Sequence, residues 1–137
     1  MNLESVYQHP KGAAILYELL KEREGAADIN LSHNGKTPVW REHLRFFRSK
    51  PYRVWFLIMV EDEVAGSVYL SKQDEIGVFL FQKFQGNGLG PEAVKELMKR
   101  TPRRKFYANI NPANAKSAEM FQSLGFTHLQ QTFVLAR

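Results

Sequence analysis

The chain has 137 residues, of which 44% are hydrophobic and 24% charged, a composition typical of a soluble protein with one domain over residues 1–137. It contains no cysteine, which excludes disulfides, thiolate metal sites and a cysteine nucleophile; a cytoplasmic location and no bound metal are expected. The formal net charge of +5 favours anionic partners, and no apolar run is long enough to cross a membrane, so no membrane partner is expected.

The first half of the chain shows helical spacing twice and then changes to the period of a sheet. Apolar residues recur at helical intervals after Pro10 and after Pro38, and the run "VWFLIMV" is typical of a buried strand. The predicted elements are a strand over 3–7, helices over 10–24 and 38–50 separated by a polar loop over 27–37, and antiparallel strands over 53–60 and 64–70.

The second half alternates strands with helices. The predicted elements are a strand over 75–81, a helix over 91–100, a strand over 105–110, a helix over 115–126 and a final strand over 128–136. The order is mixed α/β (α+β). The early strands form antiparallel hairpins, and the later strand–helix–strand unit is expected to be parallel and right-handed.

Three glycines occupy alternate positions in "FQGNGLGPEAV", between a predicted strand and a predicted helix. Gly86, Gly88 and Gly90 are costly in conformational entropy, which indicates that something approaches the backbone closely there. A glycine-rich turn before a helix N-terminus is an anion site, because backbone N–H groups converge on it. A dinucleotide fingerprint would need glycine where Pro91 stands, and a Walker loop would need Gly-Lys-Ser/Thr, so an acyl-coenzyme A loop is the third interpretation.

Two segments carry a family resemblance. "QGNGLG" (85–90) resembles the Gln/Arg-x-x-Gly-x-Gly loop of the GNAT superfamily of acetyl-CoA-dependent N-acetyltransferases. "NINPANAKSAEMFQSLGF" (109–126) resembles that family's Asn-x-x-x-x-Asn-x-x-Ala/Ser-x-x-x-Tyr-x-x-x-Gly-Phe segment. The resemblance implies a GNAT-type fold: a mixed, largely antiparallel central sheet with a splayed strand pair and flanking helices. It also implies acetyl-CoA as the co-substrate and a primary amine as the acceptor.

The resemblance places coenzyme A on the glycine loop, the preceding strand and the second segment. Backbone amides of the loop would surround the pyrophosphate, and the backbone over 78–80 would pair with the pantetheine arm. Asn114 would hydrogen-bond the arm, and Lys116 would either reach a phosphate or stay an ordinary surface lysine. The cofactor-binding residues implied in this way are Val78, Phe79, Leu80, Gln85, Gly86, Asn87, Gly88, Leu89, Gly90, Asn114, Lys116, Ser117 and Phe121.

Amine acetylation needs a deprotonated amine and a hydrogen-bond donor for the carbonyl oxygen as it gains charge. Glu75 is the first candidate for the general base, because some family members place a catalytic carboxylate at the start of this strand; Asp74 is the second. His43 is an alternative base, and a water chain would also serve. The resemblance implies that a strand amide near Leu80 is the donor to the carbonyl oxygen.

The family's usual proton donor for the departing thiolate is absent. The second segment has Phe121 where the family usually has tyrosine, and a phenyl ring cannot donate a proton. Either the thiolate leaves unaided or another group serves; Tyr107 is conceivable because it shares a strand face with Asn109.

The predicted helix over 38–50 resembles members that acetylate an amine on a nucleotide-linked sugar. In that interpretation Trp40 stacks on a ring of the acceptor, and nearby arginines meet its pyrophosphate. The candidate acceptor-binding residues are Trp40, Arg41 and His43, with Arg45 and Arg48 as further cations.

Other interpretations stay open. The acceptor could be an amine of a peptide or protein, or the chain could be a non-catalytic acyl-CoA-binding module. The basic run "KRTPRRK" (99–105) lacks the interleaved aromatic residues of a nucleic-acid site, so no nucleic acid partner is expected. The exposed face of the final strand suggests pairing of two subunits in a homodimer.

Overall fold

Four strands and four α-helices make up the main regular structure of the described residues. The computed structural model describes residues 1–24 and 36–137, so most of the predicted loop over 27–37 lies outside the described residues. The strands are β1 (Asn2–Ser5), β2 (Val54–Val60), β3 (Glu63–Leu70) and β4 (Ile76–Leu80), hydrogen-bonded in that order. The helices are α1 (Gly12–Glu24), α2 (Trp40–Arg48), α3 (Leu89–Arg100) and α4 (Ala115–Ser123).

The sheet is antiparallel throughout these strands, and each of its faces is covered by different helices. Ile58 and Val78 belong to the larger core, whose helical residues come from α3 and α4. Leu57 belongs to the second core, together with Leu16 of α1. Because neighbours along a strand point to opposite faces, Phe79 lies on the α1 side of β4. The sheet therefore separates α1 and α2 from α3 and α4.

The predicted fold class is confirmed, with differences at three helix starts. α1 begins at Gly12, two residues after the predicted start at Pro10. α2 begins at Trp40, two residues after the predicted start at Pro38. α3 begins at Leu89 rather than at Pro91, because Gly88 already serves as its N-cap residue in a left-handed conformation. The glycine loop therefore runs directly into the first turn of α3.

The predictions for the last two strands are wrong in different degrees. The strand over 105–110 is reduced to one parallel bridge between Glu75 and Tyr107. The final strand over 128–136 is absent: residues 127–137 form neither helix nor strand, and Phe133 and Val134 are 88% and 90% exposed. An apolar run favours a strand only where an edge can pair with it, and no pairing to this segment occurs among the described residues.

Within residues 1–24 and 36–137, no helix combines the length and the apolar character needed to cross a membrane.

Candidate functional site

Backbone hydrogen bonds along β4 alternate between its two edges. Ser71 N donates to Glu75 O at 2.8 Å and Phe81 N donates to Ala65 O at 2.8 Å, so the odd-numbered positions of this segment bond to β3. In an antiparallel pair, the positions between them direct their N–H and C=O groups away from the partner strand. The even-numbered residues of β4 therefore face its outer edge.

This outer edge is open beyond the first residue of β4. Ile76 N donates to Tyr107 O at 2.7 Å, but no backbone hydrogen bond from outside the sheet reaches Val78 or Leu80 in the described part of the chain. The Gln85 side chain donates to Leu80 O at 3.2 Å, while the Leu80 N–H points outward. An extended ligand that carries amide groups can pair with such an edge as a further strand.

The glycine loop connects this edge to α3. Gly86 and Gly88 have φ angles of 83° and 75°, in the left-handed region that glycine adopts without strain. A Cβ atom on either of them would meet nothing within 4 Å, so the space beside the loop is open. Gly90 differs, because it is buried and a Cβ atom there would lie 3.4 Å from Met120 Sδ of α4. Two glycines therefore shape the loop, and the third lies in the first turn of α3 next to Met120 of α4.

The second family-like segment begins α4 with a side-chain cap. Asn114 Oδ1 accepts a hydrogen bond from Ser117 N at 3.1 Å, which satisfies one of the free N–H groups of the first turn. Lys116 lies in the same turn and is exposed. Asn114 thus has a structural role in this helix, and its Nδ2 group is the part that remains to contact a ligand.

Phe121 lies in the larger core. Its side chain is 4% exposed, and its ring centroid lies 5.1 Å from that of Phe126 at an interplanar angle of 73°, an edge-to-face pair. The residue at the family's tyrosine position is therefore a packing residue here.

Glu75 precedes β4 and its carboxylate is held from two sides. Oε1 accepts from Ser71 Oγ at 3.3 Å, and Oε2 accepts from Asn109 Nδ2. The side chain is half-buried. This places the first candidate base beside the residue that opens the second family-like segment.

Asp74, the second candidate base, is engaged in ion pairs instead. Its Oδ1 atom lies 2.8 Å from Arg103 Nε and 3.5 Å from Arg53 Nε. Asp74 is thus paired with two arginines, whereas Ser71 and Asn109, the side chains that hold Glu75, are neutral.

His43 is buried between α1 and α2, with 3% of its surface exposed. Its Nε2 atom lies 2.7 Å from Ala13 O, so Nε2–H donates and Nδ1 keeps its lone pair. Burial lowers the pKa of His43, and the hydrogen bond to Ala13 opposes this shift in part. Nδ1 has no hydrogen-bond partner among residues 1–24 and 36–137, and the Nδ1 of a neutral imidazole is chemically able to accept a proton.

A cavity of about 70 Å³ lies next to His43, between α1, α2 and the sheet. We call it the aromatic cavity, because most of its wall consists of rings. Its described lining includes Phe46, Tyr52, Trp55, Tyr69 and Phe79, and the cation Arg23.

The rings of the aromatic cavity are tightly arranged. Tyr52 and Tyr69 stack with centroids 3.9 Å apart at an interplanar angle of 8°. Gly77 permits this arrangement, since a Cβ atom there would lie 2.2 Å from the Tyr69 ring. Burial raises the pKa of both Tyr52 and Tyr69, so both phenols are neutral hydroxyl donors at neutral pH.

Arg23 enters the cavity from the last turn of α1. Its guanidinium carbon lies 3.4 Å from the ring centroid of Phe79. Burial lowers the pKa of Arg23, although an arginine stays charged at neutral pH. Arg23 Nε and Trp55 Nε1 are buried and have no hydrogen-bond partner among residues 1–24 and 36–137.

The candidate acceptor residues on α2 lie on two different sides of the helix. Trp40 is 43% exposed, and its ring centroid lies 5.6 Å from that of His43, beside the cavity. Arg41 is exposed. With 3.6 residues per turn, one face of α2 carries Arg41, Arg45 and Arg48. The opposite face of the helix carries His43 and borders the cavity.

Solved structures share this fold. The putative acetyltransferase yncA from Salmonella typhimurium, solved with acetyl-CoA, has a TM-score of 0.73 at 19% identity, over 93% of this chain and 80% of its own. The spermidine N-acetyltransferase from Vibrio cholerae, solved with CoA and spermine, has a TM-score of 0.79 at 12% identity, over 99% and 88%. An acetyltransferase from Thermus thermophilus has a TM-score of 0.74 at 21% identity, over 94% and 88%. None of the curated proteins is significantly similar in sequence.

The fold is thus that of acetyltransferases. The sequence pattern of the acetyltransferase (GNAT) family matches residues 14–126, which is most of the chain. The chain therefore belongs to the GNAT family of acetyltransferases. This confirms the predicted class of enzyme, an acetyl-CoA-dependent N-acetyltransferase.

The aromatic cavity is the feature that sequence reasoning missed. Its residues come from different elements and are far apart in the chain, as Arg23 of α1 and Phe79 of β4 illustrate. Arg23 lies in the last turn of α1, where a cation is common and ordinarily solvated, so no local signal set it apart. No spacing rule connects that position to Tyr52, Trp55 or Tyr69.

Proposed function

We propose that this protein transfers an acetyl group from acetyl-CoA to a primary amine by direct attack of the amine. The observation that carries this proposal is the open edge of β4 at Val78 and Leu80, which leads into the glycine loop. An extended pantetheine arm has two amides that suit such an edge. Acetyl-CoA would supply the activated acyl group as a thioester, and the residues of this chain bind and orient the reactants.

The glycine loop fits the pyrophosphate of coenzyme A in this proposal. The amides of residues 86–90 border an open space at the N-terminus of α3, where the helix dipole also favours an anion. Gln85 holds the loop to Leu80 O. At the start of α4, Asn114 Nδ2 and the Lys116 ammonium are the groups assigned to the arm and to a phosphate, and Ser117 completes the turn that presents them.

The Leu80 N–H is the proposed donor to the carbonyl oxygen as it gains charge. Leu80 lies five residues from Glu75, a separation of about 16 Å at about 3.3 Å per residue. Glu75 would therefore act through ordered waters if Leu80 is the donor. The Val78 N–H faces the same edge and shortens the separation to about 10 Å.

The general base in this proposal is Glu75, with His43 as the alternative. Glu75 is held by Ser71 and Asn109 at the end of β4 that is remote from the glycine loop. An arm lying along the edge would run from the loop toward Glu75. His43 lines the aromatic cavity together with Phe79, and its Nδ1 atom is the nitrogen not bonded to Ala13 O.

No phenolic acid is assigned. Phe121 is buried in the core and has no acidic proton, so the thiolate of coenzyme A leaves without a donor at that position. A thiol has a pKa of about 8.5, which makes its anion a tolerable leaving group near neutral pH.

The proposed acceptor is an amino sugar linked to a nucleotide. Trp40 supports it, because an exposed indole beside a cavity is suited to stacking on a flat ring. Arg41, Arg45 and Arg48 face away from the cavity, so a phosphate inside it would meet Arg23 instead. A peptide amine or a polyamine is the alternative, since solved relatives of this fold include a spermidine N-acetyltransferase and a ribosomal L7/L12 α-N-protein acetyltransferase.

The broader expectations from the sequence remain proposals alongside this function. They are a single domain over residues 1–137, a cytoplasmic location, a homodimer, and no nucleic acid partner.

The direct test of the function is release of coenzyme A thiol from acetyl-CoA in the presence of amines. We expect thiol release that depends on an amine and stoichiometric formation of its N-acetyl product by mass spectrometry. The acceptor panel contains UDP-linked amino sugars, free amino sugars, a peptide and spermidine. Binding of acetyl-CoA without transfer to any acceptor would favour the non-catalytic acyl-CoA-binding alternative.

A further inference from the structure

The aromatic cavity encloses a cation next to the proposed reaction edge. The Arg23 guanidinium stacks on Phe79 at 3.4 Å, and Phe79 is the residue between Val78 and Leu80. Neighbouring residues of a strand lie about 3.8 Å apart at Cα. A group bound against Arg23 therefore lies over the side chain of Phe79, whose two neighbours along β4 face the open edge.

The described walls of the cavity provide donors and no counter-charge. Arg23 is in no ion pair among residues 1–24 and 36–137, and none of the described lining residues is a carboxylate. Arg23 Nε and Trp55 Nε1 are both buried without an acceptor in the same part of the chain. Buried donors without acceptors are unfavourable, so an acceptor from a ligand would stabilise this arrangement.

We propose that the aromatic cavity binds an anionic group of the acceptor, a carboxylate or a phosphate, through Arg23 and Trp55. The proposal deepens the proposed function and rests on it: it states that the acceptor amine belongs to an acidic molecule. A guanidinium presents a planar fork of donors that matches either oxyanion. The rings of Tyr52, Tyr69 and Phe79 would cover the apolar body that joins the anion to the amine.

The size and charge of the cavity argue against a cationic acceptor. A volume of about 70 Å³ accommodates one small group rather than a long chain. A second ammonium group placed there would meet the Arg23 charge in a partly desolvated space, where like charges repel more strongly than in water. The cavity thus selects acidic amines and rejects polyamines.

The first experiment compares matched acceptors with the wild-type protein and acetyl-CoA. The pairs differ only in the anion: tyrosine against tyramine for the carboxylate, and glucosamine 6-phosphate against glucosamine for the phosphate. We expect kcat/KM to favour the anionic member of at least one pair by about tenfold or more, because hydrogen bonds to charged groups are the strong ones. Spermidine should be the poorest acceptor.

The second experiment measures binding without turnover. Calorimetry with coenzyme A present, so that the glycine loop is occupied, uses phenyl phosphate, 4-hydroxyphenylacetate and the uncharged 4-hydroxyphenylacetamide as probes. We expect one of the anions to bind at least about tenfold more tightly than the amide. Arg23→Gln should remove that difference, whereas Arg104→Gln, the same charge change at an exposed position, should keep it.

The outcomes separate the inference from the function. If amines are acetylated but the anionic and uncharged members react equally, or spermidine reacts best, the inference is overturned and the function stands. If no amine is acetylated, the function fails, and anion binding that depends on Arg23 would still support the cavity as an oxyanion site. Should Arg23→Gln be unfolded by circular dichroism, the wild-type preferences and probe affinities decide alone.

Discussion

His43 Nε2 lies 2.7 Å from the carbonyl oxygen of Ala13, and this hydrogen bond joins α2 to α1 at the wall of the aromatic cavity. Because a carbonyl oxygen only accepts, the ring is held with its proton on Nε2. Burial lowers the pKa of His43 below its ordinary value of 6.5. The folded protein therefore keeps this histidine neutral where an exposed one would begin to be protonated.

We expect the stability of the fold to fall in mild acid because of His43. An unfolded histidine has a pKa of about 6.5, so below that pH the unfolded state binds more protons than the folded state. The contribution is fully present above about pH 6.5 and is lost as the pH falls toward the lower folded pKa. Urea unfolding between about pH 5 and pH 8 measures the resulting slope in the free energy of unfolding.

His43→Gln tests the assignment, since its side-chain amide also donates to Ala13 O but does not titrate. We expect a smaller loss of stability in acid than in the wild type. His128→Gln, at an exposed position, is the matched control and should retain the wild-type slope. An unchanged slope in His43→Gln would show that this histidine is not held neutral by the fold.

Glu75→Gln is expected to lower kcat/KM by at least about tenfold near neutral pH, because a general base contributes about 10²–10⁴ in rate. Acetyl-CoA affinity should not change, and raising the pH should recover part of the loss as the amine deprotonates by itself. The rates are measured by thiol release over a pH series.

His43→Ala and Asp74→Asn distinguish the competing assignments of the base. We expect His43→Ala to weaken acceptor binding more than turnover, and Asp74→Asn to lower stability by losing its two arginine partners. If Glu75→Gln is as fast as wild type while His43→Ala loses turnover, His43 is the base.

Gly88→Val is expected to reduce the affinity for acetyl-CoA by at least about tenfold, or about 1.4 kcal/mol. The valine side chain would occupy the open space beside the loop, and a φ of 75° strains any branched residue. Calorimetry measures the affinity. Gly125→Val is the matched control, because its φ of 97° brings the same kind of strain at the end of α4. If both variants are folded and bind acetyl-CoA with equal affinity, the assignment of the glycine loop to the pyrophosphate is contradicted.

Phe121→Tyr is expected to leave the rate within a few-fold of wild type or to raise it, since the present enzyme works without a phenol at that position. Phe121→Ala should instead lower the free energy of unfolding by about 3–5 kcal/mol, because it empties a core site. Thiol release and urea unfolding measure the two effects. A large loss of rate in Phe121→Tyr at unchanged stability would contradict this expectation, because overpacking of the core would also have lowered the free energy of unfolding.

The family and the conformation of the glycine loop were predictable from the sequence because their requirements are local. Gly86 and Gly88 adopt positive φ angles that only glycine adopts readily, and Asn114 caps the helix that follows it by accepting from Ser117 N. The backbone conformation of the loop and the cap of the helix depend on residues that are neighbours in the chain. Short sequence motifs can therefore predict them.

The pairing of strands and the formation of the aromatic cavity were decided only by the tertiary structure. The segment 128–136 has the composition of a strand, yet a strand forms only when its backbone pairs with another strand, and no periodicity reveals whether that pairing occurs. The aromatic cavity depends in the same way on contacts between distant positions: Arg23 meets Phe79 only because the sheet brings β4 beneath α1. Burial and charge environment are properties of such non-local contacts, so the residues that we propose to select the acceptor were visible only in the folded chain.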